Sequence, residues 1–253
     1  MSPDPWETLR RSTRARIGLG RAGDGLPTGE LLKFQLAHAR ARDAVHGQVD
    51  FDKLAADLAP LPTIRLKSWA GDRSTYLRRP DLGRKLHPDS AAKLADVPPQ
   101  PWDLVFVIAD GLSAGAVQTH AAPMVKACIE RLPGWRIAPI VLGEQARVAF
   151  GDDVGEALGA ELCLLLVGER PGLSVPDSLG IYMTYRPKRG RRDSERNCLS
   201  NIHADGLSYA LAADKAAWLA REAVRLRLSG VDLKENAPVT GLSAAEVNNN
   251  VLK

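Results

Sequence analysis

An unbroken apolar run, Leu104-Val105-Phe106-Val107-Ile108-Ala109, constrains this chain more than any other stretch. A strand with one wet face alternates polar and apolar residues. A continuous run instead needs protein on both faces, as in a parallel sheet sandwiched between helices. Two further runs repeat the signal, Arg136-Ile137-Ala138-Pro139-Ile140-Val141-Leu142 and Leu162-Cys163-Leu164-Leu165-Leu166-Val167, and a fourth is Ile181-Tyr182-Met183-Thr184-Tyr185. Between them lie helical stretches at about 114 to 132 and 154 to 158, and a last helix spans about 209 to 229. This β-α-β-α-β order predicts an α/β chain with a doubly wound, mostly parallel, Rossmann-like sheet. Pro139 points to an edge or irregular position for the second strand.

The segment 1–97 reads as a helical, loop-rich region. Thr28 is a candidate helix cap, with Glu30 in the first turn and Leu31, Leu32, Phe34, Leu36 and Ala37 as an apolar stripe. Gly18-Leu19-Gly20-Arg21-Ala22-Gly23 matches the dinucleotide pattern G-x-G-x-x-G, the sole support for a stand-alone Rossmann enzyme. No β-rich run precedes it, and Asp24-Gly25-Leu26-Pro27 follows where a helix should start, so it reads as a tight backbone turn. The stiff Val97-Pro98-Pro99-Gln100-Pro101 marks a boundary before a second domain, 98–234. The tail, 235–253, is expected to be mobile.

A net charge of +4 on 253 residues, with only 5% aromatics, argues against nucleic-acid binding. The basic run Arg186, Lys188, Arg189, Arg191, Arg192 and Arg196 reads either as a solvated loop or as a surface for phosphate or an acidic partner. Cys128 and Cys163 sit in apolar contexts as core residues, whereas Cys198 stands in a polar run, and no C-x-x-C pair exists. No apolar run approaches the roughly 20 residues that span a bilayer, and the amino terminus lacks a signal peptide. A cytoplasmic protein without membrane partners is expected.

The turns after the first and third strands, Asp110-Gly111 and Gly168-Glu169-Arg170-Pro171-Gly172, should share one rim of the sheet, where open α/β sheets bind ligands. The loop near Arg147 and Val148 would meet the same ligand. Asp110 reads first as the cap of the following helix. Glu169 either pairs with Arg170 or accepts from ligand amides. The run Arg196-Asn197-Cys198-Leu199-Ser200-Asn201-Ile202-His203 reads as a polar loop. No nucleophile elbow, Walker loop or zinc motif is present. Asn201-Ile202-His203-Ala204-Asp205-Gly206 comes within one residue of D-x-H-x-x-G, which supplies a cobalt-ligating histidine in some cobalamin proteins. Asparagine replaces the aspartate that would orient the imidazole, which argues against ligation by His203. A ligand-binding rim without its own catalytic constellation suits a subunit that holds part of a large cofactor.

Six blocks in order carry a resemblance: Thr13–Ile17 with Gly20–Gly23, Tyr76–Arg84, Ala109–Ser113, Leu166–Gly172, Cys198–Ile202 and Leu228–Val231. Together they resemble the small (light) subunit of ethanolamine ammonia-lyase, across roughly Leu9 to Lys234. The resemblance implies an adenosylcobalamin-dependent ammonia-lyase in which a large barrel subunit converts ethanolamine to acetaldehyde and ammonia by radical chemistry. This chain would cover the lower face of a base-on cobalamin, through Val148, Glu169 and Cys198. No residue of its own would be catalytic and none would bind metal. It further implies a hetero-oligomer of several heterodimers, leaving open whether a bacterial microcompartment encloses it.

Overall fold

The computed structural model describes residues 4–235. In chain order these form α1 (Glu7–Ser12), α2 (Thr28–His46), α3 (Phe51–Leu58), β1 (Thr63–Lys67), α4 (Arg73–Arg78), α5 (Pro88–Ala95), β2 (Leu104–Ala109) and α6 (Ala114–Glu130). They continue as β3 (Ile140–Glu144), α7 (Phe150–Leu158), β4 (Leu162–Gly168), β5 (Leu179–Tyr185), a 3-10 turn (Asp193–Glu195), β6 (Arg196–Ile202) and α8 (Tyr209–Leu226). Apart from Glu235, the tail expected to be mobile lies outside the described residues.

The six strands form one sheet in the order β1-β3-β2-β4-β5-β6. The first four in that order are mutually parallel, whereas β5 runs antiparallel to β4 and β6 antiparallel to β5. The expected α/β class holds and the expected parallel pairing extends from β1 to β4, but the sheet is mixed because β5 is antiparallel to both its neighbours. Short connections without a crossover helix link β4 to β5 and β5 to β6, and such links join antiparallel neighbours. Two further readings change. The segment read as helical contributes an edge strand, β1, paired in register with β3 from Thr63–Ile140 to Lys67–Glu144. Pro139 precedes β3 rather than interrupting it, and β3 is interior, between β1 and β2.

Alternation along the central strands supplies two cores. Leu104, Phe106, Ile108, Leu164 and Leu166 pack with residues of α3, α6 and α8 on one face. Val105, Val107, Ala109, Cys163, Leu165 and Val167 pack with α5 and α7 on the other. Burying each valine, leucine, isoleucine or phenylalanine among them is worth about 1.5–3 kcal/mol, which is why the apolar runs alone dictate a covered sheet. The buried face of α8 is largely alanine (Ala212, Ala213, Ala216, Ala217, Ala220 and Ala223), so the helix lies close to its neighbours. On the second face, Cys198 and Ser200 of β6 are exposed.

Helix ends follow local chemistry. Ser113 caps α6 by accepting from the Ala116 N–H at 3.3 Å. Asp152 and Asp153 place negative charge in the first turn of α7, and Gly159 ends it in the left-handed region, φ 64°. Thr28 is the first residue of α2 rather than its cap. None of the residues of α2 is buried, and Leu31, Leu32, Phe34 and Leu36 are exposed.

Candidate functional site

Because β6 is antiparallel to β5, it runs with β4. The carboxyl ends of β2, β3, β4 and β6 therefore meet at one rim. Glycine lets the backbones close there. A Cβ on Gly111, whose φ is 59°, would overlap the Gly168 carbonyl oxygen, and one on Gly168 would overlap the Ser113 backbone. The Leu112 N–H donates to the Gly168 carbonyl at 2.8 Å, tying the two turns together.

Asp110 is not the cap of α6; Ser113 is. The Asp110 carboxylate, 4% exposed, instead accepts from the N–H groups of Gly111 (3.0 Å), Gln145 (2.9 Å) and Ala146 (3.0 Å). Arg73 stands 3.8 Å away. Burial pushes Asp110 up to about 6, against the pull of these N–H groups and the arginine. The clamp anchors the β3–α7 loop, which carries Arg147 and Val148, to the end of β2.

Glu169 forms no ion pair with Arg170 among the described residues. Its carboxylate accepts from Ser178 Oγ at 2.5 Å, from Ser200 Oγ, and from the Asn201 N–H at 3.3 Å. Gly180 makes the necessary room, since a Cβ there would come within 2.8 Å of Glu169 Oε1. The carboxylate is thus locked across β4, β5 and β6, with acceptor capacity left over.

Val148 and Glu169 line one cleft of about 450 Å³, with Tyr76, Gly111, Leu112, Arg147, Gly168, Arg170, Tyr182 and Ser200 among its walls. Cys198 is placed one step away. It is in β6, not in a loop as its sequence suggested, and faces Tyr182 in register. Ser200, two residues on, shares its face of the strand. Desolvation of its sulfur, then the Glu169 charge, raises the Cys198 pKa, and a hydrogen bond with Tyr182 opposes this. That suits a packing and hydrogen-bonding group better than a nucleophile. Cys128 and Cys163 are buried, as their apolar settings suggested.

Several other sequence features resolve without chemistry. His203 donates from Nε2 to Asn201 Oδ1 at 2.8 Å and accepts at Nδ1 from the Asp205 N–H at 3.3 Å, so both ring nitrogens serve a local turn. Among the described residues no cluster of metal-binding side chains occurs. Gly18, Gly20 and Gly23 all have positive φ, with no strand before them among the described residues and no helix from there until Thr28, as a tight turn requires. The basic run is in part the solvated loop its sequence suggested, with Arg186, Lys188 and Arg192 exposed, while its other three members are ion-paired within the chain. Arg196 is bidentate with Asp152 (2.6 and 2.7 Å), Arg189 with Asp153 (2.9 and 2.7 Å), and Arg191 meets Glu195 at 2.5 Å.

Sequence reasoning missed Tyr76, Tyr182 and Ser200 as cleft residues. Tyr182 was legible as part of a strand and Ser200 as part of a polar run, but only pairing aligns them. Tyr76 reaches the rim from α4, and the guanidiniums of Arg73 and Arg147 both pack on its ring, 4.8 and 4.4 Å from the ring centroid. Burial pushes its hydroxyl up to about 12.

Among the described residues no helix is long and apolar enough to cross a membrane. The family described as ethanolamine ammonia-lyase light chain matches residues 3–234. The chain is 54% identical to an ethanolamine ammonia-lyase small subunit of Azotobacter vinelandii, covering 96% of this chain and 92% of the relative. Small subunits of Pseudomonas fluorescens and Ralstonia nicotianae are each 52% identical, covering 97% and 98% of this chain and 92% and 94% of those proteins. Matches of this extent and identity leave one conclusion: the chain belongs to the ethanolamine ammonia-lyase light-chain family, the small subunits of an ammonia-lyase.

Proposed function

We propose that this chain is the cobalamin-binding small subunit of an adenosylcobalamin-dependent ethanolamine ammonia-lyase, pressing the lower face of a base-on cofactor against the large subunit. The observation that carries the reading is the convergence of Val148 and Glu169 on one cleft, with Cys198 on the adjoining strand face. The donor set fits the ligand. A corrin rim bears many side-chain amides, and the cleft offers the spare acceptor capacity of Glu169, the Ser200 and Tyr182 hydroxyls, and glycine turns that expose backbone groups. When bound, the cofactor supplies the radical chemistry. Glu169 would accept an amide N–H, Val148 would pack on the ring edge, Cys198 would pack beside Tyr182, and the walls would exclude water.

In the same reading residues 1–97 contact the large subunit, and residues 98–234 form the cobalamin-binding unit, to whose cleft the first segment adds Tyr76. Other copies of the heterodimer complete a cytoplasmic assembly. The unburied α2 supports the first assignment, since its exposed leucines have no cover among the described residues. Titration of adenosylcobalamin into the stripped assembly tests the proposal, comparing wild type with Glu169→Ala. Affinity should fall about 10-fold, the usual worth of one hydrogen bond to a charged group. Unchanged affinity with a slowed isotope-sensitive step would refute it.

A further inference from the structure

Among the described residues, six arginines are not exposed: Arg10, Arg73, Arg131, Arg147, Arg191 and Arg196. Five pair with a carboxylate, on Asp4, Asp110, Asp214, Glu195 and Asp152 respectively. Arg147 alone does not. It donates from Nη2 to the Tyr76 carbonyl at 3.0 Å, and its Nε is buried with no partner among the described residues. The guanidinium has five donors, so most remain free. Stacking on Tyr76 holds the group in place. A half-buried cation normally has an anion beside it, because desolvated charge is costly when unpaired. Arg147 lines the same cleft as Val148 and Glu169.

Cobalamin carries one anionic group, the phosphodiester of its nucleotide tail; its peripheral groups are neutral amides. We infer that Arg147 binds this phosphodiester, which sets the direction in which the nucleotide tail leaves the cleft. The inference rests on the cobalamin reading above. Arginine suits the task because its planar fork matches two phosphate oxygens. Arg170, exposed at the same cleft, adds positive charge, and Glu169 is kept apart by its own bonds to Ser178 and Ser200.

The test uses the assembled complex of both subunits, stripped of cofactor, with wild type, Arg147→Met, Arg147→Lys and Ser200→Trp. Adenosylcobalamin, adenosylcobinamide phosphate and adenosylcobinamide, which lacks the phosphate, are titrated by absorbance, with assembly checked by gel filtration. Wild type should prefer the phosphate-bearing corrinoids by about 10- to 100-fold, as one charge-assisted contact provides. Arg147→Met should lose that preference while binding adenosylcobinamide as wild type does, and Arg147→Lys should keep part of it. Equal weakening of all three ligands by Arg147→Met, or no change, overturns the inference. If Ser200→Trp blocks every corrinoid while Arg147→Met leaves the phosphate preference intact, only this inference falls. If Ser200→Trp changes nothing, the cleft is not the corrinoid site and both readings fall.

Discussion

Arg196 and Asp152 form a bidentate ion pair, each side chain 2% exposed, that bolts β6 to the first turn of α7. Thr184 Oγ1 accepts from the same guanidinium at 2.9 Å. The pair joins the strand bearing Cys198 to the helix that follows Val148, so it stabilises the geometry of the cleft from beneath.

Arg196→Met should therefore leave Asp152 buried and unpaired, costing about 3–5 kcal/mol. Urea unfolding of the chain measures the loss. The double replacement Arg196→Met with Asp152→Leu should recover most of it, since no unpaired charge is left. A double variant as unstable as the single one would contradict this account.

Asp110 should impose a pH dependence on stability. Its folded pKa, about 6, lies above the ordinary 3.8, so between those values the folded protein binds more protons than the unfolded chain. Its contribution is therefore most favourable below about pH 4 and declines as pH rises through 6, by on the order of 3 kcal/mol across the window. Asp110→Asn removes this titration, although it also costs the acceptor for the Gln145 N–H. Stability measured from pH 4 to 7 should fall more in wild type than in the variant. Parallel curves would exclude Asp110 as the titrating group.

Gly111→Ala should damage the rim directly. The new methyl group meets the Gly168 carbonyl, and φ of 59° strains any side chain. A loss of about 1–3 kcal/mol is expected from overpacking and strain. Thermal melting reports the stability, and cofactor titration reports whether Val148 and Glu169 still converge. Gly115→Ala, where a Cβ meets nothing within 4 Å, is the matched control and should be near neutral.

On α2, Leu32 and Leu36 are 59% and 52% exposed. The double variant Leu32→Asp, Leu36→Asp should change the stability of the isolated chain by no more than about 0.5 kcal/mol per site. Co-purification with the large subunit should nevertheless drop sharply, because charges would face an apolar partner surface. Undiminished co-purification would place the contact elsewhere.

The elements that could be read in advance are those whose burial is written into consecutive residues. Leu104–Ala109 and Leu162–Val167 are apolar on both faces, so their strands, the helices between them and the shared rim with Val148 and Glu169 followed. β1 escaped notice although Thr63-Ile64-Arg65-Leu66-Lys67 alternates polar and apolar residues as an edge strand with one wet face does, because so short a run between helical stretches was absorbed into a helical reading. Asp110 was misjudged for a related reason. An aspartate ahead of a helix has a local use as a cap, and only the packing of the β3–α7 loop against β2 offers it three N–H groups from elsewhere.

Local chemistry alone decided that the chain would bury a sheet between helices, that glycine turns would end its strands at one rim, and that His203 lacked the aspartate of a cobalt ligand. Strand direction after β4, the placement of Cys198 beside Tyr182, the pairing of the basic run with α7, and the solitary charge of Arg147 were settled only in three dimensions. Hydrophobic periodicity reports how deeply a residue is buried, whereas the partner of a charge or a strand edge depends on which distant segment arrives beside it.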